Sequence, residues 1–123
     1  MSRKSMSRII ASLAFAVVAS TAFAHALLQK AVPAVGGTVA ASPAEIRLKF
    51  SEGVEPRFSG IALATEAGVA QLTGQPAVDP ADDSVLIVKI GQALKPGVYT
   101  VTWHAVSVDT HRTQGAFNFT VAP

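Results

Sequence analysis

Strict alternation of apolar and polar residues constrains this chain most. In Glu45-Ile46-Arg47-Leu48-Lys49-Phe50, every second residue is apolar. A period of two is that of an extended strand with one face buried. The same period returns at Tyr99, Val101 and Trp103 within Val98 to Val108, and at Phe117, Phe119 and Val121. Leu27 to Val32, Ile61 to Ala64, Val69 to Leu72 and Val85 to Ile90 are shorter strand candidates, separated by turn signals such as Gly36-Gly37, Glu66-Ala67-Gly68 and Lys95-Pro96-Gly97. About seven strands with regular turns predict an all-β antiparallel sandwich, and the longer connections also allow a barrel. Trp103 belongs in its core, and the Tyr99 hydroxyl is placed to anchor the Pro96-Gly97 turn.

The first 24 residues follow a different pattern. Arg3, Lys4 and Arg8 precede an apolar run from Ile9 to Ala19, and Ala22-Phe23-Ala24 is a small-residue cleavage signal. Residues 1–24 therefore read as a secretory signal peptide, leaving 25–123 as a single domain that begins at His25. The whole sequence carries a formal charge of +2. Removing three basic residues and no acid leaves seven basic against eight acidic side chains. That near-balance, with no Lys/Arg stripe, excludes a nucleic-acid partner. The only long apolar run is the signal itself, so no membrane insertion is expected after processing. The sequence has no cysteine, so an exported domain of this kind must be held by its core rather than by disulfides. The short positive head and apolar core point to a bacterial periplasm.

Histidine carries the candidate chemistry. The three histidines are His25, His104 and His111. Cleavage after Ala24 would give His25 a free α-amine beside its imidazole, two nitrogens that close a six-membered chelate ring. Asp109 stands two residues before His111, a spacing that on an extended backbone puts both on one face. The amine and Nδ1 of His25, a carboxylate oxygen of Asp109 and a nitrogen of His111 make a tetragonal N₃O set, which favours Cu(II). Zinc could use the same donors but prefers a tetrahedron, and calcium and magnesium want mostly oxygen. Alternatively, Asp109 and His111 are only a surface hydrogen-bonded pair. His104 points away from the Trp103 row, either as a plain surface histidine or as an outer partner of the metal. Both methionines, Met1 and Met6, lie in the signal, so no soft ligand for Cu(I) survives processing.

Other chemistry finds little support. No serine has an evident neighbouring base, and no glycine-rich loop leads from a strand into a helix. Glu52 and Glu55 fit a solvated turn better than a carboxylate pair. Asp79, Asp82 and Asp83 form a loop acid cluster that could hold calcium only weakly, since their spacing does not match a calcium loop.

Several blocks together resemble the small periplasmic copper-resistance proteins of the CopC type. These are His25-Ala26-Leu27-Leu28, Pro33 to Gly37, Ile46 to Ser51 with Val54-Glu55, Leu94 to Trp103, and Val106-Ser107-Val108-Asp109-Thr110-His111 followed by Gly115 and Phe117-Asn118-Phe119. The resemblance spans essentially the whole processed chain. It implies a seven-stranded Greek-key sandwich of cupredoxin-like or immunoglobulin-like form. It also implies one Cu(II) per chain held by His25, Asp109 and His111, and a monomeric carrier or buffer that can serve an inner-membrane copper transport protein. Members with two sites carry a methionine-rich stretch for Cu(I). Gly68 to Asp83 has no methionine here, which matches the single-site Cu(II) subtype. His104 stands where members often have arginine. Two other functions are weighed against the carrier. One is a copper oxidase or monooxygenase built on the N-terminal histidine, which the Asp109 carboxylate disfavours by holding copper as Cu(II). The other is a sandwich with no metal.

Overall fold

A computed structural model describes residues 26–123. The segment 1–24 and His25 lie outside the described residues. Eight strands are seen among the described residues: β1 (Leu28–Val32), β2 (Thr38–Val39), β3 (Glu45–Phe50), β4 (Gly60–Thr65), β5 (Ala77–Asp79), β6 (Asp82–Lys89), β7 (Gly97–Val106) and β8 (Arg112–Val121). They form two four-stranded sheets, ordered β1-β3-β6-β5 and β2-β8-β7-β4. The chain changes sheet after each of β1, β2, β3, β4 and β6, and only β5–β6 and β7–β8 are consecutive strands of one sheet. All pairings are antiparallel except β2 with β8, a two-residue parallel contact. Among the described residues no helix is long and apolar enough to cross a membrane.

Alternation explains the core. Ile46, Leu48 and Phe50 are fully buried on the inner face of β3, opposite Leu86 and Val88 of β6. Tyr99, Val101, Trp103 and Ala105 face inward from β7, and Phe117, Phe119 and Val121 from β8. The sheets meet where the Phe50 ring stands edge-on to Trp103, centroids 5.1 Å apart at 65°. Gly115, opposite Trp103 on β8, has no side chain, and a Cβ there would stand 2.8 Å from the indole ring. The Tyr99 hydroxyl donates to the Lys95 carbonyl at 2.6 Å, anchoring the turn before β7 as its position suggests.

Several elements differ from the sequence reading. The last strand starts at Arg112, five residues before Phe117, and β7 ends at Val106. Ala77–Asp79 pairs with β6 instead of remaining a connection. Val69 to Leu72 makes only a bridge and hydrogen bonds beside β4, with Val69 and Leu72 exposed. The connection between β3 and β4 contains one 3₁₀ turn, Pro56–Phe58.

The aspartate cluster belongs to the fold. The Arg47 guanidinium donates to Asp79 and Glu45, and the Lys49 ammonium donates to Asp82 at 2.9 Å. Two of the three carboxylates therefore face cations on the outer face of the β1-β3-β6-β5 sheet, and a calcium role has no support. Hydrogen bonds from Ser84, then from Lys49, pull the Asp82 carboxyl down to about 2. Because its folded value lies below its ordinary one, its stabilisation is complete above about pH 4 and disappears as pH falls through 2. Asp82→Asn is expected to flatten the rise of melting temperature between pH 2 and 4. Equal slopes in variant and parent melts would show that this ion pair contributes nothing.

Candidate metal centre

The β7–β8 connection carries Asp109 and His111. It is a tight loop rather than the extended segment that the D-x-H spacing suggested. The Ser107 N–H donates to the His111 carbonyl at 2.8 Å, and the Thr110 N–H donates to the Ser107 carbonyl at 2.8 Å. Thr110 takes φ +74°, a left-handed conformation uncommon for a β-branched residue. The two side chains converge because the chain folds back. His111 Nδ1 lies 3.3 Å from Asp109 Oδ1, with both side chains about half exposed.

The inward alternation of β7 carries on past Ala105 to Ser107, one residue beyond the end of the strand and fully buried. Its hydroxyl donates to Asp109 Oδ1, and its oxygen accepts from the His111 N–H at 3.2 Å. That donation, ahead of the His111 contact, holds the Asp109 carboxyl below its ordinary range. Asp109 is thus ionised at neutral pH. The loop is braced from the β3–β4 connection: the Val108 N–H donates to the Gly53 carbonyl at 3.0 Å, and the Val106 N–H donates to Ser59 Oγ at 3.0 Å.

Two residues, Thr113 and Ser51, hold the start of the described chain beside this loop. Ala26 is fully buried, and its carbonyl accepts from Thr113 Oγ1 at 2.8 Å. The Leu27 N–H donates to Ser51 Oγ at 2.8 Å, and the Ser51 N–H returns a bond to the Leu27 carbonyl at 2.8 Å. Ser51, Ser107 and Thr113 were assigned no role from sequence. The one available signal was Ser107, a polar residue at an inward position of a strand whose other inward residues are apolar.

His104 does not join the pair. It lies on the outer face of the β4-β7-β8 sheet, where its ring packs over Gly60. There it lines an open trough of about 590 Å³ with Thr102, Arg112 and Gln114. Among the described residues no three of His, Cys, Asp and Glu stand close enough to hold a metal ion. Asp109 and His111 supply two hard-to-borderline donors, one oxygen and one nitrogen, which suit a copper(II) or zinc ion but do not complete its shell.

Comparison with known proteins agrees with this architecture. The CopC domain profile matches residues 28–122. The chain is 40% identical over 118 residues to protein YobA of Escherichia coli K12, covering 96% of this chain and 95% of that one. CopC from Methylosinus trichosporium OB3b superposes with a TM-score of 0.75 at 31% identity, covering 80% of this chain and 95% of that one. PcoC, a methionine-rich copper resistance protein from Escherichia coli, gives 0.69 at 34% identity, covering 79% and 98%. A profile match across nearly all the described residues, the same two-sheet fold and these identities together make the chain a member of the CopC family.

Proposed function

We propose that this protein is a periplasmic copper carrier or buffer that, once cleaved after Ala24, holds one Cu(II) on His25, Asp109 and His111. The observation that carries the reading is the clamp on Ala26. Its fully buried side chain and its bond from Thr113 tie the residue after His25 to β8, two positions beyond His111. Consecutive Cα atoms are about 3.8 Å apart, so a terminal His25 starts within reach of the Asp109–His111 loop. Its α-amine and Nδ1 would supply the two donors that the loop lacks. With Nδ1 of His111 turned to Asp109, copper would be taken on Nε2.

The chemistry favours carriage over turnover. A carboxylate and nitrogen donors stabilise Cu(II), and no thiolate or thioether remains to favour Cu(I). A site that prefers one oxidation state suits storage and transfer, whereas an oxidase must cycle between two. A monomer delivering to an inner-membrane copper transport protein fits an exported single domain of 25–123.

The test uses exported protein whose mass shows His25 at its N-terminus. Titration with Cu(II), followed by electron paramagnetic resonance, should give one tetragonal, nitrogen-rich copper per chain. Outer-sphere partners of a metal alone contribute about 10–100-fold in affinity. Asp109→Ala and His111→Ala, each removing a direct donor, should therefore weaken binding at least that much while leaving the sandwich folded. Parental affinity in both would remove the loop from the site.

A further inference from the structure

We infer that Ser107 is the positioning residue of the copper site: its buried hydroxyl commits one oxygen of Asp109 and leaves the other to the metal. The inference rests on the copper reading above. Along the inner face of β7 and one residue beyond its end the sequence runs Tyr99, Val101, Trp103, Ala105 and then Ser107. The first four are apolar and buried, and Ser107 is more buried than Tyr99 or Trp103, with no exposed surface. An alanine there would serve the core equally well. A buried hydroxyl is retained only where partners satisfy it. All of its side-chain partners lie in the loop that carries Asp109 and His111.

Those partners fix the geometry of both candidate ligands. Ser107 Oγ donates to Asp109 Oδ1 and accepts from the His111 N–H at 3.2 Å, with the His111 carbonyl also 3.2 Å away. Its own N–H closes the loop on that carbonyl at 2.8 Å. The same Oδ1 atom faces His111 Nδ1 at 3.3 Å. Oδ1 is therefore engaged three ways, counting a long contact from the His111 N–H at 3.5 Å. Oδ2 accepts no hydrogen bond among the described residues. A carboxylate held in this way binds a metal through one oxygen. One-oxygen binding suits a compact tetragonal ion, whereas larger oxygen-seeking cations commonly take both oxygens. Ser107 thus orders the loop before copper arrives and sets how Asp109 meets it.

The test compares Cu(II) affinity and electron paramagnetic resonance spectra of processed Ser107→Ala with the parent. Ser107→Gly, which also lacks the hydroxyl, is measured in parallel in case one variant fails to fold. Tyr99→Phe is the stability control. It removes a hydrogen bond at the opposite end of the same strand, and should lower the melting temperature without changing copper binding. The expected result is a loss of about tenfold or more in affinity and a second copper species in the spectrum as the freed carboxylate rotates. Parental affinity and a single parental spectrum in Ser107→Ala, with Asp109→Ala still defective, would overturn the role of Ser107 and leave the site intact. Parental binding in Ser107→Ala, Asp109→Ala and His111→Ala alike would instead overturn the site itself.

Discussion

Phe50→Ala is expected to destabilise the domain by about 3–5 kcal/mol, the range for removing a buried aromatic side chain. Phe50 is fully buried at the end of β3, and its ring meets Trp103 of the other sheet edge-on at 5.1 Å. The substitution removes apolar area from the core and opens a cavity between two sheets that cannot collapse onto each other, because their strands are fixed by hydrogen bonds. It also removes an aromatic pair that contributes about 0.5–1.5 kcal/mol beyond its buried area. With no cysteine in the chain, no disulfide limits the unfolded state, and small domains hold only about 5–15 kcal/mol in all. At about 4–8 °C per kcal/mol, the melting temperature should fall by tens of degrees. Phe58 provides the contrast. It is 60% exposed in the 3₁₀ turn, and its alanine variant should stay within about 0.5 kcal/mol of the parent. Denaturant melts of both variants check this, and similar midpoints would mean that Phe50 does not join the sheets.

The same residues explain how much of the fold could be read in advance. β3 was legible because every inward residue is large and apolar and every outward one is charged. The second half of β8 was legible for the same reason. Its first half was not, since Arg112 to Ala116 contains no large apolar residue. There the inner face is filled from elsewhere: the Trp103 ring lies against Gly115, and Thr113 points its hydroxyl at Ala26. A strand whose core is supplied by its neighbours carries no alternation of its own. β5 was hidden among prolines and aspartates, because its pairing depends on β6 and its Asp79 on Arg47.

The candidate site was legible as residue types and not as geometry. Asp109 and His111 were found from their spacing, and they do meet, but through a folded loop with a left-handed Thr110 rather than on an extended face. Side-chain periodicity describes strands and is silent about turns. Ser107 holds the loop locally, but Ser59, which also braces it, and Thr113 and Ser51, which hold Ala26 and Leu27, act across the fold. Ser51 and Leu27 are 24 positions apart, and Thr113 and Ala26 are 87. Such pairs leave no local signature.

One residue added before His25 is expected to weaken Cu(II) binding by more than about 100-fold, the largest effect foreseen at the site. The added residue converts the α-amine into an amide, which cannot donate to copper while it keeps its proton. It also breaks the six-membered chelate ring between that nitrogen and Nδ1. Loss of an outer-sphere partner alone can reach about 100-fold, and here a direct donor and its ring are lost together. The fold has no reason to change, because Ala26 keeps its buried side chain and its bond from Thr113, and Leu27 keeps its bonds with Ser51. The comparison is therefore clean: equal melting temperatures without copper, and in the extended form a loss of the rise in melting temperature that copper gives to the processed form. His25→Ala separates the two nitrogens. It keeps the amine and loses the imidazole, so it should also bind weakly. If the extended protein matched the processed one in affinity and in its electron paramagnetic resonance spectrum, the terminal amine would not be a ligand. Copper would then have to be held by side chains alone.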